Sequence, residues 1–389
     1  MQTFSGGERV KLQLARLLMS NPTTLLLDEP TNDLDSDSVL WLENFLLSCK
    51  LTVLFVSHDE ALLSRTATSI LLLERLRRRQ VPRATLYRMG YDQFYAERGA
   101  AFEKQTRIAR KEREDFDAKM ERYDAIRRKV ERDQNAISRQ DPHGSRLLKK
   151  KMHTVQAMGR RFEREQENMT AMPEQEEAIF AKLDCAPLPA DKIVLDLSCA
   201  ELSVGGRTLC RDIRLTVRAR EKLCICGHNG VGKSTLLHLI RNTLEKRADL
   251  RVLYMPQDAG GLLDFSLSPV ELLSPSGNKE ERSRAGILLG SMKFTADEMN
   301  HPSAGLSGGQ KAKLMFLMMA ESGANVLLLD EPTRNLSPLS GPVIRELLAE
   351  YPGCIITVSH DRRLIQEVCT RTVTLIPEGV RPSSFCDNF

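Results

Sequence analysis

The nine residues Gly227-His-Asn-Gly-Val-Gly-Lys-Ser-Thr235 match G-x-x-x-x-G-K-[ST] and lie between an apolar run, Lys222–Cys226, and an apolar helical stretch. Glycines at Gly227, Gly230 and Gly232 let successive backbone N–H groups close around phosphate oxygens, and the following helix adds its positive N-terminal dipole. In this context Lys233 reaches the terminal phosphates of a nucleotide and Ser234 ligates Mg2+, with Asn229 and Thr235 completing the loop. Val326–Glu331 is an apolar strand that closes on two carboxylates. Asp330 at its tip can hold the metal through water, and Glu331 can polarise an attacking water as general base. Gln257, in Met255-Pro-Gln-Asp258, ends another strand and can sense both metal and γ-phosphate. His360 follows a buried strand, from where its imidazole can contact the γ-phosphate.

Much of this chemistry is written twice. Phe4-Ser-Gly-Gly-Glu8 recurs as Leu306-Ser-Gly-Gly-Gln310, Asp28-Glu29 as Asp330-Glu331, and His58-Asp59 as His360-Asp361, at a constant offset of 302 residues. An internal repeat without insertion means a duplicated half-module. Ser5, Gly6 and Gly7, and likewise Ser307, Gly308 and Gly309, enter a helix with free N–H groups and a serine, which suits a γ-phosphate. Glu29 and His58 are the first-copy counterparts of Glu331 and His360. Only the second copy follows a phosphate loop, so the chain is expected to begin in the middle of its first module.

These residues need an α/β scaffold. Glu8–Ser20 and Ser36–Ser48 read as helices, and Thr23–Asp28 and Leu51–Val56 as strands buried on both faces, because their apolar runs are continuous. A basic run follows at Arg75–Arg79, then a short strand at Ala84–Arg88. Later strands are expected at Ile193–Leu197, Leu215–Val217, Lys222–Cys226, Val252–Met255, Val326–Asp330, Ile355–Val358 and Thr372–Leu375.

Residues 91–172 are charge-rich and helical in period. Phe102, Ala109, Phe116, Tyr123, Val130 and Ile137 recur every seven residues, with Met120 and Ile126 filling the seam. After a breaker at Asp141–Gly144, the stripe continues through Leu148, Met152, Val155, Phe162 and Met169. The pattern predicts an antiparallel hairpin with a coiled-coil seam. Residues 122–161 hold twelve Lys/Arg against four Asp/Glu, a net +8 where the whole chain carries only +4. A solvated face is the competing reading, but the excess gathers at the hairpin end, which favours phosphate contact through Arg127, Arg128, Lys129, Arg146, Lys149, Lys150 and Lys151. No aromatic lies between Asp124 and Arg161, which argues against stacking on single strands and for backbone contact with folded RNA.

The chain has 389 residues, of which 41% are hydrophobic and 28% charged, enough for two or three globular domains. No run is apolar enough to span a bilayer and no signal peptide is recognisable, so a cytoplasmic protein is expected. The nine cysteines lack a Cys-x-x-Cys pair; Cys224 and Cys226 read as buried thiols on one strand face.

The combination of S-G-G-[QE], L-L-L-D-E-P-T, S-H-D and GHNGVGKST resembles the ATP-binding cassette superfamily over residues 4–76 and 191–380. Two cassettes joined by a helical hairpin resemble its ABC-F family of ribosome-associated translation factors. The resemblance implies an α/β fold of P-loop NTPase cassettes, the first incomplete, linked by an antiparallel α-helical hairpin. The expected parts are residues 1–88 (first cassette), 89–172 (hairpin), 173–190 (connector), 191–380 (complete second cassette) and 381–389 (tail). It also implies head-to-tail intrachain pairing, with ATP and Mg2+ held between Lys233, Ser234, Gln257, Asp330, Glu331 and His360 on one side and Ser5–Gly7 on the other. The opposite site would keep Asp28, Glu29, His58 and Ser307–Gly309. Implied partners are the ribosome, its rRNA and P-site tRNA, in antibiotic protection or general translation. The sequence departs from the family at Arg334–Pro338, which replaces the loop represented by Asn32–Asp35, and at Val204, where an aromatic usually stacks on adenine. The alternatives are an ATPase subunit of a transporter with separate membrane partners and an inactive fragment.

Overall fold

The structure is a computed structural model that describes residues 6–32, 34–75, 81–136, 142–170, 183, 185, 188–257, 264–334 and 336–383. It divides into two compact units, one of residues 1–72, 84–91 and 176–389, the other of residues 73–83 and 92–175.

In the first unit, α1 (Gly6–Leu18) starts two residues before the expected position, so Gly6 and Gly7 belong to its first turn. Its end is set by Asn21, which takes a left-handed φ of 50°. β1 (Thr24–Asp28), α2 (Ser36–Ser48), β2 (Thr52–Val56) and α3 (Glu60–Thr66) follow, with β1 and β2 paired in parallel from Thr24↔Thr52 to Asp28↔Val56. These two strands are not buried on both faces, contrary to the reading of their apolar runs. Leu26 is 72% exposed and Val56 58% exposed, because among the described residues the pair forms a two-stranded sheet of its own. β3 (Ile70–Arg75) pairs with β4 (Val81–Tyr87), which begins before the expected Ala84. The basic run 75–79 falls almost wholly outside the described residues.

The second unit is built on α4 (Tyr91–Ala136) and α5 (Pro142–Glu167). At 1.5 Å per residue they are about 69 and 39 Å long. Ala109, Phe116, Val130, Leu148 and Val155 are buried along the seam, and Phe162 meets Phe116 and Tyr123 edge to face. Lys119 pairs with Glu165, and Glu112 accepts from the Thr170 backbone and hydroxyl, which fixes the two helices antiparallel. Gly159 makes room for the Tyr123 side chain: a Cβ there would sit 2.7 Å from its hydroxyl. Two details differ from the sequence reading. Ile126 is 44% exposed and lies off the seam. The breaker residues Pro142–Gly144 start α5 rather than interrupt it, since proline at the first turn loses no hydrogen bond. Ile137 and Asp141 lie outside the described residues, as does most of the connector.

The remaining chain returns to the first unit. β5 (Ile193–Val204) and β6 (Arg207–Arg218) form an antiparallel pair, longer than expected. Then come β7 (Lys222–Cys226), α6 (Lys233–Leu244), β8 (Val252–Met255), three short helical segments α7 (Pro269–Leu273), α8 (Lys279–Ser291) and α9 (Ala296–Asn300), α10 (Gly308–Ser322), β9 (Val326–Asp330), α11 (Gly341–Glu350), β10 (Cys354–Val358), α12 (Arg362–Val368), β11 (Arg371–Ile376) and β12 (Gly379–Ser383). The sheet order is β12-β11-β7-β10-β9-β8, all parallel except β12. β12 escaped the sequence reading; Pro382 within it is tolerated because the strand is at the sheet edge.

Every residue of β7, β9 and β10 is buried. One face of the sheet packs with α6 and the β5–β6 pair around Ile213, Leu223, Leu236, Ile240 and Ile356. The other packs against α10, whose Leu314, Met315, Phe316 and Leu317 are buried nearly all round. Each such side chain contributes roughly 1.5–3 kcal/mol of apolar burial. This double cover holds the C-terminal ends of β7 and β9 rigid, where the phosphate loop and the carboxylates emerge. Cys224 and Cys226 share one face of β7, their sulfurs 3.7 Å apart, and the eight described cysteines are free thiols.

Candidate functional site

A cavity of about 810 Å³ opens where β7 and β9 end. It is lined by Asn229, Gly230, Gly232, Lys233, Ser234, Thr235, Gln257, Asp330, Glu331 and His360 of the second copy, and by Glu29 and His58 of the first. All belong to the same compact unit.

The loop's glycines are required by shape. Gly227 has φ 144°, and a Cβ there would come within 2.6 Å of the Leu375 carbonyl. Gly232, at φ 106°, caps α6, and a Cβ there would come within 3.0 Å of Leu209 of β6. Lys233 opens α6 and is 8% exposed. Its ammonium folds back on the loop, donating to Gly227 O (2.8 Å), His228 O (3.2 Å) and Asn229 Oδ1 (3.4 Å). Burial lowers its pKa, opposed by the carboxylates of Glu331 and Asp330.

Asp330 is 3% exposed, and burial raises its pKa while the Ser234 side chain hydrogen-bonds it. Its Oδ1 is buried without a hydrogen-bond partner. An orphaned carboxylate oxygen beside a hydroxyl, with Gln257 on the same cavity wall, is a donor set that fits Mg2+.

Glu331 sits at φ 49°, and its counterpart Glu29 at φ 44°. Left-handed backbone in a non-glycine residue costs of order 1–3 kcal/mol and persists only where the surroundings hold it. Here the Glu331 N–H donates to Val358 O at 2.9 Å, and the Glu29 N–H to Val56 O at 2.9 Å. Each carboxylate then turns to the histidine at the end of the next strand. Glu331 Oε2 accepts from the His360 N–H (3.3 Å) and the Ser359 hydroxyl (3.4 Å). Glu29 Oε2 accepts from the His58 N–H at 3.2 Å. Burial pushes Glu331 up to about 7 and His360 down to about 4, the latter helped by the Lys233 charge. At neutral pH the site thus holds a neutral imidazole beside a carboxyl group poised between its two protonation states.

The Glu331 shift has a consequence for stability. A carboxyl raised from 4.5 to about 7 costs the fold roughly 3 kcal/mol once it ionises. That cost is absent below pH 4.5 and complete above pH 7. Glu331→Gln is therefore expected to melt with the parent at pH 4.5 and above it by several degrees at pH 8. Melting curves across pH test this; a pH-independent difference would contradict it.

The sequence-derived residues do not all converge. Gly227 is behind the loop rather than on the cavity wall. Ser307, the N-cap of α10, makes a capping box with Gln310, and Ser307 and Gly308 are exposed away from the cavity. Asp28 is exposed, unlike Asp330. Glu29 and His58, expected in a separate site with Ser307–Gly309, line the same cavity as Lys233. Ser5 lies outside the described residues; Gly7 packs so closely on Ser38 that a Cβ would collide with its hydroxyl. Arg9, two residues further along α1, does reach the cavity.

The residues of this site can be set beside known proteins. The family model described as "ABC transporter" matches residues 1–32 and 210–334. The human ATP-binding cassette sub-family F member 3 is 31% identical over 376 residues, covering 94% of this chain and 49% of that protein. The ATP-binding protein Uup of Escherichia coli is 30% identical over 384 residues, covering 95% and 55%. The ABC transporter F family member 5 of Arabidopsis thaliana is 29% identical over 380 residues, covering 95% and 51%. The chain belongs to the ABC-F family. It spans about half the length of these ABC-F relatives. A solved complex of the archaeal ribosomal stalk protein aP1 and the archaeal ribosome recycling factor aABCE1 shares the fold over 98% of this chain and 65% of that one, with TM-score 0.57 at 18% identity.

Two contacts in this ABC-F chain were not read from its sequence. Asp35 caps α2 by accepting from the Ser38 N–H and places its Oδ2 3.4 Å from His228 Nδ1 in the phosphate loop, joining first half to second. The equivalent position, Ser337, precedes α11, whose N-cap Ser340 makes no side-chain cap bond. Instead Tyr91 donates to Pro338 O at 3.1 Å. Second, Arg207 lines the cavity opposite Val204. Gly205-Gly206 makes a two-residue turn that brings the two into register. The Gly-Gly pair was the available signal.

Among the described residues no helix is long and apolar enough to cross a membrane.

Proposed function

We propose that this chain binds ATP with Mg2+ at the Lys233 loop, hydrolyses it with Glu331 as general base, and acts on the ribosome through the α4–α5 hairpin. The supporting observation is the single cavity in which the Lys233 loop, Asp330, Glu331 and His360 meet Glu29 and His58 of the other half. Loop N–H groups and the α6 N-terminus hold the phosphates, and Lys233 exchanges its three loop acceptors for phosphate oxygens. Asp330, Ser234 and Gln257 would hold Mg2+, which when bound neutralises charge on the phosphate oxygens. Glu331, raised to about 7, is matched to taking a proton from water near neutral pH. Neutral His360, fixed through its backbone N–H to Glu331, donates or accepts at the γ-phosphate without adding charge. The signature Ser5–Gly7 would close on the γ-phosphate from the first half. Val204 and Arg207 flank the base, the guanidinium serving where an aromatic ring would otherwise stack.

For the hairpin, the reading rests on charge and exposure. Arg127, Arg128, Lys129, Arg146, Lys149, Lys150 and Lys151 are all exposed, while Leu148, Met152 and Val155 between them pack inward. Replacing Lys149, Lys150 and Lys151 with Glu leaves that seam intact. Co-sedimentation with ribosomes over a salt series, with ATP and Glu331→Gln, is expected to show weaker binding and a log–log salt slope reduced by about 2–3, from three lost phosphate contacts. Equal binding and equal slope would return the charge to a solvated face and favour the transporter-subunit reading.

A further inference from the structure

The 302-residue repeat carries a second pattern, in charge. Glu43, Glu60 and Arg65 of the first half have as counterparts Arg345, Arg362 and Glu367 of the second. At all three positions the sign is reversed, and the bonds these residues make are conserved through the reversal. Across the two halves, Arg345 clasps Glu60 with its two terminal guanidinium nitrogens, at 2.6 and 3.1 Å. The equivalent pair runs the other way, Arg362 donating to both oxygens of Glu43 at 3.0 and 3.3 Å. Within each half the relation repeats: Arg65 binds Glu43, and Arg345 binds Glu367 at 2.6 Å. One set of contacts, related by an approximate two-fold, is thus kept with its polarity inverted.

The groups concerned are buried. Glu43 is fully covered, Arg345 is 2% exposed and Glu60 7%. Surface ion pairs contribute little, but a buried charge left without its partner is strongly unfavourable. The backbone is also fitted to the inversion. Gly341 stands at the counterpart of Val39, and a Cβ there would collide with the Glu60 carboxylate. The second half is therefore cut away where it must admit an acidic side chain. Arg363, whose counterpart is Ala61, adds a further bond to Glu60 at 3.1 Å.

Consider the pairings a duplicated protein must avoid. Two first halves brought together in the same geometry would bury Glu43 against Glu60, and two second halves would bury Arg345 against Arg362. Only a first half with a second half gives opposite charges at both contacts. We propose that this inversion is a polarity code: the Arg345/Arg362 face of the second half accepts as partner only a face bearing the Glu43/Glu60 pair, and rejects its own kind. Specificity through repulsion of the wrong partner is how paired interfaces discriminate when their shapes are alike. The inference is independent of hydrolysis and of the ribosome, and its failure would leave the ATPase reading untouched.

Three variants of the 389-residue chain test it. The first carries Glu43→Arg, Glu60→Arg and Arg65→Glu. The second carries Arg345→Glu, Arg362→Glu and Glu367→Arg. The third combines all six. Each half-exchanged chain is expected to melt on the order of 10 °C below the parent and to remain monomeric by light scattering. The six-fold exchange is expected to regain more than half of that loss, with Arg363 and Gly341 accounting for the remainder. The two half-exchanged chains mixed in equal amounts are expected to form a 1:1 dimer, since each supplies the face the other lacks. The proposal is overturned if the six-fold variant melts as low as the half-exchanged ones, if a half-exchanged chain keeps the parental melting temperature, or if one dimerises with itself. Should the half-exchanged chains not fold, Glu60→Gln, Arg345→Gln and their double variant give the same decision. A double variant that loses clearly less than the two singles together supports pairing, and additive losses overturn it.

Discussion

Glu331→Gln is expected to lower the rate of ATP hydrolysis by about 10²–10⁴ while leaving ATP binding in place. The exchange is close to isosteric. The glutamine carbonyl can still accept from the His360 N–H, and the Lys233 ammonium stays held by its loop acceptors, so the nucleotide site keeps its shape. What is lost is a carboxylate whose pKa, pushed up to about 7 by burial, makes it half-ionised at working pH. Each factor of ten corresponds to 1.36 kcal/mol of barrier, so the substitution removes roughly 3–5 kcal/mol of transition-state stabilisation. Two measurements distinguish loss of a base from general damage. Single-turnover hydrolysis in the parent should rise with pH through about 7 and level off, while the residual rate of the variant should not show that step. Bound ATP, measured on filters, should be equal in the two. Unchanged turnover, or a pH step that survives in the variant, would remove Glu331 from the role.

The sequence makes the phosphate loop legible because its chemistry is contiguous: a buried strand, glycines at fixed steps, Lys-Ser-Thr, then a helix. The same holds for Asp330-Glu331 and His360, which follow an apolar run within one or two positions. Burial is legible only where neighbours exist to supply it. Thr24–Asp28 and Val326–Asp330 both end in L-L-L-D and both pair in parallel with the strand that carries the histidine. Yet the second is fully buried and the first is largely exposed, because β9 has β8, β10, α6 and α10 around it. No local pattern distinguishes the two. Contacts between distant segments were hidden for another reason. Asp35 with His228 and Glu43 with Arg362 join ordinary surface-type residues separated by 193 and 319 positions. Their relation emerges only when the repeat offset is applied to charges as well as motifs. Val204 drew notice as a missing aromatic, but its partner Arg207 did not, since the two-residue turn that opposes them was not used to set the register.

Lys233→Ala is expected to remove most of the affinity for ATP and with it the stabilisation that nucleotide confers. The Lys233 ammonium is held by the loop's own carbonyls, at 2.8 and 3.2 Å, and by Asn229. It thereby holds the loop in the curved form that presents N–H groups inward. Phosphate oxygens would replace those acceptors, and Lys233 is the sole Lys or Arg of the Gly227–Thr235 loop. At about 100 times the dissociation constant, ATP should stabilise the parent by roughly 2.7 kcal/mol, a rise of about 5–10 °C if the cassette unit melts like a domain of 150–250 residues. In the variant the same ATP concentration should give little rise, because the loop loses both its counter-charge and its internal brace. Lys233→Arg separates the two contributions: it keeps the charge but not the compact ammonium that fits under the loop, so it should recover only part of the shift. An alanine variant with the full ATP-dependent rise would show that nucleotide binds without this loop, and the cavity at the end of β7 would then need another ligand.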